Sequence, residues 1–100
     1  MEYIITQTID FGLILVSGAL TFDDHRAFSH LITEISAAGN KDVVFDAVNV
    51  EHIDSSGFGM LLVANETCHK GGGNFSIRNA SSEIKALAEH IHISHILQID

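Results

Sequence analysis

One hundred residues carry thirteen acids against five bases, a formal charge of −8, so the surface repels nucleic-acid backbones and anionic membranes and neither is an expected partner. Apolar residues make up 46% of the chain and charged ones 18%, which excludes disorder, and proline is absent, so one domain spanning 1–100 is expected. A single cysteine, Cys68, excludes an internal disulfide and a cysteine metal cluster.

The opening MEYIITQTID carries an early acid and lacks a signal peptide's basic and apolar regions. No apolar run approaches the roughly 20 residues of a membrane span. The expected placement is therefore soluble and cytoplasmic, without membrane insertion. Tyr3 to Ile9 reads as a strand, Asp10-Phe11-Gly12 as a turn and Leu13 to Ser17 as a second strand, together a hairpin. Gly18 to Phe22 is a connection, with Thr21 or Asp23 as the cap of the next helix. Phe28, Leu31, Ile32 and Ile35 recur at helical spacing between Asp24 and Ala38, and Gly39-Asn40 signals the stop.

Val43 to Val50 is a nearly continuous apolar strand, which predicts a central strand covered on both sides, with Asp46 and Asn49 making burial one-sided toward its end. It feeds a helix from Ser55 to about His69 that stops at Gly71-Gly72-Gly73. Asn74 to Arg78 is a short strand. Ser81-Ser82-Glu83 starts a helix through Ile84, Leu87, Ala88 and Ile91, and Ile96 to Ile99 is a last strand. The alternation predicts an α/β fold, with a mixed four- to five-stranded sheet that is mainly parallel after the hairpin, and packed helices.

Few motifs carry chemistry. His90, His92 and His95 fit neither one helix face nor one strand face, so surface or capping roles are expected over a metal site. No Gly-x-Ser-x-Gly elbow surrounds Ser55, and Gly71-Gly72-Gly73 lacks the Lys-Ser or Lys-Thr of a phosphate loop. Cys68 in a helix interior reads as a small buried apolar residue. No catalytic residue, metal or cofactor is expected. What remains is the Asp54-Ser55-Ser56-Gly57 corner, where a strand meets a helix N-terminus with free N–H groups. Asp54 suits an N-cap. Gly57 and Gly59 each cost a helix about 1 kcal/mol relative to Ala, which makes sense if another backbone or a bulky partner approaches closely. Phe58, Met60, Leu61, Leu62 and Val63 surround most of the helix, so part of that apolar surface suggests a partner.

Strand, Asp54-Ser55-Ser56-Gly57-Phe58-Gly59, then an aliphatic helix, together with Gly18 and Gly72-Gly73, resembles the STAS domain over essentially the whole chain. More narrowly it is similar to bacterial anti-sigma factor antagonists, whose corner reads Asp-Ser-Ser-Gly-Leu-Gly. The resemblance implies a non-enzymatic partner switch. Ser55, with Ser56 as second choice, would accept phosphate from an anti-sigma factor serine kinase of histidine-kinase-like ATPase fold. A metal-dependent serine phosphatase would reset it. Thr21, Asp23, Asp54, Ser56, Gly57, Phe58, Gly59 and Met60 would form the partner surface. The alternative is a constitutive STAS subunit of a lipid-transport, chemotaxis-like or cyclase-regulating complex. Gly18-Ala19-Leu20-Thr21 departs from the antagonists' Gly-x-Leu-Asp, so the acid near the corner is either missing or replaced by Asp23. A glycine common at the end of the last helix is here His92.

Overall fold

The computed structural model describes residues 1–37 and 42–100. The chain runs β1 (Glu2–Gln7), β2 (Gly12–Leu20), a 3-10 turn (Phe22–Asp24), α1 (His25–Ala37), β3 (Val43–Ile53), α2 (Ser55–Lys70), β4 (Phe75–Arg78), α3 (Ser82–His90) and β5 (Gln98–Ile99). The sheet order is β1-β2-β3-β4-β5, with β1 antiparallel to β2 and every other pair parallel. This is the expected mixed α/β architecture.

Each parallel crossover steps one strand in the same direction. Such crossovers are right-handed in nearly all proteins, which puts all three helices on one face. Burial follows. Ile14, Phe45 and Ile77 stand side by side across β2, β3 and β4, and all three are buried. Leu13, Val44 and Ser76 stand side by side on the other face and are half-buried. The expectation that β3 is covered on both sides is therefore corrected. It is central in the sheet, but only the helical layer covers it.

Local ends differ from the sequence expectation in instructive ways. β1 stops at Gln7, because the Thr8 hydroxyl oxygen accepts from the N–H groups of Asp10 and Phe11 at 3.2 and 3.0 Å and closes the turn early. Ile9 lies fully exposed in that turn. β2 continues past Ser17 to Leu20, through Gly18 at φ +82° and an irregular register at Gly18–Ala19. A glycine at positive φ in a strand is the signature of a bulge, so the expected connection is strand. β3 likewise reaches Ile53. The Gly39-Asn40 stop lies outside the described residues.

α1 buries Phe28, Leu31, Ile32 and Ile35, the four positions read from periodicity. α3 buries Ile84 and Ala88 but leaves Leu87, and Ile91 at its C-terminal cap, partly exposed. Both α2 and α3 end in the same hydrogen-bonded motif. Gly72 and Gly73 donate to the carbonyls of His69 and Cys68 at 3.0 and 2.9 Å. His92 and Ile93 donate to Glu89 and Ala88 at 3.1 and 3.0 Å. This is the Schellman pattern, which needs a left-handed residue after the cap. Gly72 supplies it at φ +83°, and His92 supplies it at φ +63° without a glycine's freedom. His92→Gly is therefore expected to stabilise the fold by about 1 kcal/mol in urea titration, with His92→Ala giving no such gain.

Among the described residues Asp46 is the one buried charged residue, at 6% exposure. It faces Arg78 across the β3–β4 register. Arg78 Nε and Asn79 Nδ2 donate to its two oxygens at 3.2 and 3.1 Å, and the Val48 N–H donates at 3.0 Å. Burial raises its pKa, but the bonds from Asn79, Val48 and Arg78 outweigh burial and hold the carboxyl below its ordinary 3.8. Its contribution to stability is thus complete above that value and lost as pH falls through the folded pKa. The stability difference between wild type and Asp46→Asn should be complete at neutral pH and narrow as pH falls below 3.8 in paired urea titrations. A constant difference would contradict this account.

Candidate functional site

The corner between β3 and α2 is built around Asp54. Its backbone is extended, φ −87° and ψ 178°, as an N-cap requires. One carboxylate oxygen accepts from the Gly57 N–H at 2.7 Å, and the other accepts from the Phe22 N–H at 3.3 Å. The Asp54 N–H donates to the Leu20 carbonyl at 3.3 Å. One residue therefore caps α2 and ties it to the end of β2 and to the 3-10 turn. The turn has its own brace. The Thr21 N–H and hydroxyl donate to Asp24 Oδ2 at 2.9 and 3.3 Å, so Thr21, not Asp23, is the cap. Burial would raise the Asp24 carboxyl, but the Thr21 N–H and hydroxyl help hold it below the ordinary value. Asp23 remains exposed.

Gly57 explains how the corner closes so tightly. A Cβ there would collide with the Leu20 carbonyl oxygen and lie 2.7 Å from Ile53 Cγ2. The close approach inferred from sequence is real, but the approaching backbone is the chain's own. Gly57 and Phe58 are buried, Phe58 at 3% exposure, which corrects their placement on the partner surface. Gly59 is different. A Cβ on it would meet nothing within 4 Å, and the residue is exposed.

Ser55 occupies the first position of α2 and is exposed, whereas Ser56 is half-buried. With the Gly57 N–H used by Asp54 and the Phe58 N–H bonded to the Asp54 carbonyl at 3.0 Å, the N–H groups of Ser55 and Ser56 are the intrinsically unpaired ones of this helix end. A negative group carried by Ser55 would lie beside them and at the positive end of the helix dipole.

Next to the serines runs a groove between α1 and α2 with a volume of about 380 Å³. Phe22, His25, Phe28 and Ile32 line one side, Met60 and Val63 the other, and Ser56 and Gly59 lie on the wall near the corner. Two lining threonines add little polarity, since their hydroxyls donate to carbonyls of their own helices: Thr33 to Ser29 at 3.0 Å and Thr67 to Val63 at 2.9 Å. At the mouth Phe22, 61% exposed, stacks on the His25 ring with centroids 4.9 Å apart. Of the sequence-derived partner residues, the structure thus brings Thr21, Asp23, Asp54, Ser56, Gly59 and Met60 around one corner and groove. Phe22 and His25 were missed. An aromatic residue next to the polar Thr21 and Asp23-Asp24-His25 was the available signal.

The other reactive candidates fall away from this site. Cys68 is buried, and burial followed by the Asp42 charge pushes its thiol pKa up, away from nucleophilic character. No group of three or more potential metal ligands converges among the described residues, and no helix there is long and apolar enough to cross a membrane.

The family profile described as "Mlab, STAS domain" matches residues 7–98. No curated protein matches the sequence. An anti-sigma factor antagonist from Mycobacterium paratuberculosis superposes with a TM-score of 0.84 at 17% identity, over 98% of this chain and 83% of that one. The phosphorylated form of SpoIIAA, a cell fate determinant of Bacillus, superposes at 0.75 and 15%, over 99% and 91%. The murine anion transporter Slc26a9 matches at 0.76 and 15%, over 90% of this chain but 15% of the transporter. At these identities the likenesses establish the fold alone.

Proposed function

The chain belongs to the STAS domain family, and from that premise we propose that it is a phosphorylation-controlled protein-binding regulator, an anti-sigma factor antagonist. In its unphosphorylated form it binds a serine-kinase anti-sigma factor of histidine-kinase-like ATPase fold through the α1–α2 groove and the corner residues Thr21, Asp23, Asp54, Ser56, Gly59 and Met60. Phosphate on Ser55 releases it, and a metal-dependent serine phosphatase restores it. Transcription is the regulated output, and the setting is a bacterial cytoplasm. The observation that carries this reading is the exposed Ser55 at the first position of α2, whose neighbour Ser56 lines an apolar groove. Phosphate adds about −1.5 to −2 charges there without entering the core. The test is capture of partners on wild type, Ser55→Ala and Ser55→Asp, then ATP-dependent phosphosite mapping with the recovered kinase. Phosphate at Ser55 and weak capture by Ser55→Asp are expected. Phosphate only at Ser56, or none, sinks the assignment.

A second reading is favoured by the likeness to part of an anion transporter and by a family profile described as Mlab. In it the chain is a constitutive subunit of a lipid-transport or similar complex. Equal capture by all three Ser55 forms, with a transporter ATPase recovered, selects this reading over the switch.

A further inference from the structure

β1 is an unguarded sheet edge. It stands first in the strand order and pairs with β2 alone among the described residues. The opposite edge, β5, is two residues long, and such brevity is one of the ways proteins protect an edge. β1 has no comparable protection. It pairs with β2 over six residues without a register shift, so no bulge turns it away. Its sequence, EYIITQ, contains neither Pro nor Lys, and its single charge, Glu2, sits at one end. Ile4 is 63% exposed and Tyr3 38%.

Hydrogen-bond parity shows what this edge presents. The Thr8 N–H donates to the Phe11 carbonyl at 2.9 Å across the hairpin. Main-chain groups alternate in direction along an antiparallel strand, so Thr6, Ile4 and Glu2 also bond toward β2. The N–H and C=O groups of Tyr3, Ile5 and Gln7 therefore aim outward and have no partner in the sheet. An occupant must offer a strand with alternating donors and acceptors, apolar side chains on both faces, and no acid opposite Glu2.

We propose that β1 is the contact through which two copies of this chain associate, by antiparallel pairing about a two-fold axis at Ile4. In this register the outward groups of Tyr3 meet those of Ile5 in the second copy, and the reverse. Glu2 faces Thr6, so the only charge on the strand never meets its own copy. Ile4 meets Ile4 at a non-hydrogen-bonded position, where side chains approach most closely. The axis keeps the helices of both copies on the same side, giving a continuous ten-stranded sheet through a closed, isologous contact. The two −8 charges repel across this contact, so added salt strengthens the association by screening them. None of β1 lines the α1–α2 groove, so the contact stands or falls independently of the partner switch.

Light scattering or sedimentation over a concentration series, at low and high salt, tests the proposal on the full chain. The weight-average mass is expected to rise toward twice that of one chain, further at high salt. Amide exchange of Tyr3 and Ile5 should slow severalfold with concentration, while that of Ile4 and Thr6 stays constant. Ile4→Lys places two ammonium groups opposite each other at an exposed position and should leave a folded monomer. Tyr3→Pro removes an outward donor without touching the β2 ladder and should do the same. A mass that stays monomeric throughout, or a dimer that survives both variants, overturns the proposal. So does exchange protection that appears only with another protein's strand.

Discussion

Gly57→Ala is expected to destabilise the fold by about 1–3 kcal/mol, the usual cost of overpacking a site that cannot relax. The new methyl would meet a backbone carbonyl, that of Leu20, and a buried branch of Ile53, not the yielding end of a long side chain. Relief requires α2 to move away from the end of β2. That movement stretches the Asp54 bonds to Gly57 and Phe22, which stand at 2.7 and 3.3 Å. In a domain of this size each kcal/mol moves Tm by about 4–8 °C. Gly59→Ala is the matched control. Its methyl meets nothing, so the helix should gain about 1 kcal/mol from propensity. Thermal melts of the two variants should move in opposite directions. A shared direction would mean that the corner is not held by the contact at Gly57.

Ser55→Asp is expected to weaken the proposed partner's binding roughly a hundredfold, about 3 kcal/mol, while changing the stability of the free domain by less than 1 kcal/mol. The two effects separate because the two states meet the charge differently. In the free domain the carboxylate sits at a solvated helix N-terminus, where the dipole favours it by about 0.3–1 kcal/mol. In the complex the partner covers the corner, so the carboxylate and Asp54 beside it lose the water that screens them in the free domain. A like charge at 4 Å costs about 4 kcal/mol at an effective dielectric of 20. Calorimetric titration against the captured partner, beside urea unfolding of the free protein, measures both quantities. Equal affinities for wild type and Ser55→Asp would remove the charge switch, and a parallel loss of stability would assign the effect to the fold.

Much of this site was legible in the chain. The Asp54 cap, the helix start at Ser55 and the glycine stop after α2 are short-range chemistry, set by residues within a few positions of one another. The core stripe Phe28, Leu31, Ile32 and Ile35 was equally local, because one helical period specifies one face. The meaning of Gly57 was not. That a glycine is needed could be read, but whether its close neighbour is the same chain or another depends on Leu20, far away in sequence. Phe22 and His25 escaped for the same reason, since a groove exists only when two helices are set side by side.

The sequence by itself determined the α/β alternation, the family to which the pattern belongs, and the serine corner, because periodicity, caps and turn residues act over a few residues. The tertiary structure alone decided which face of β3 is covered, since crossover direction and hand place every helix on one side. It also decided that Gly57 and Phe58 face inward while Gly59 stays open, and that Asp46 is a satisfied buried carboxylate. These outcomes depend on contacts between residues tens of positions apart, where no local propensity acts and only packing and hydrogen-bond satisfaction choose the answer.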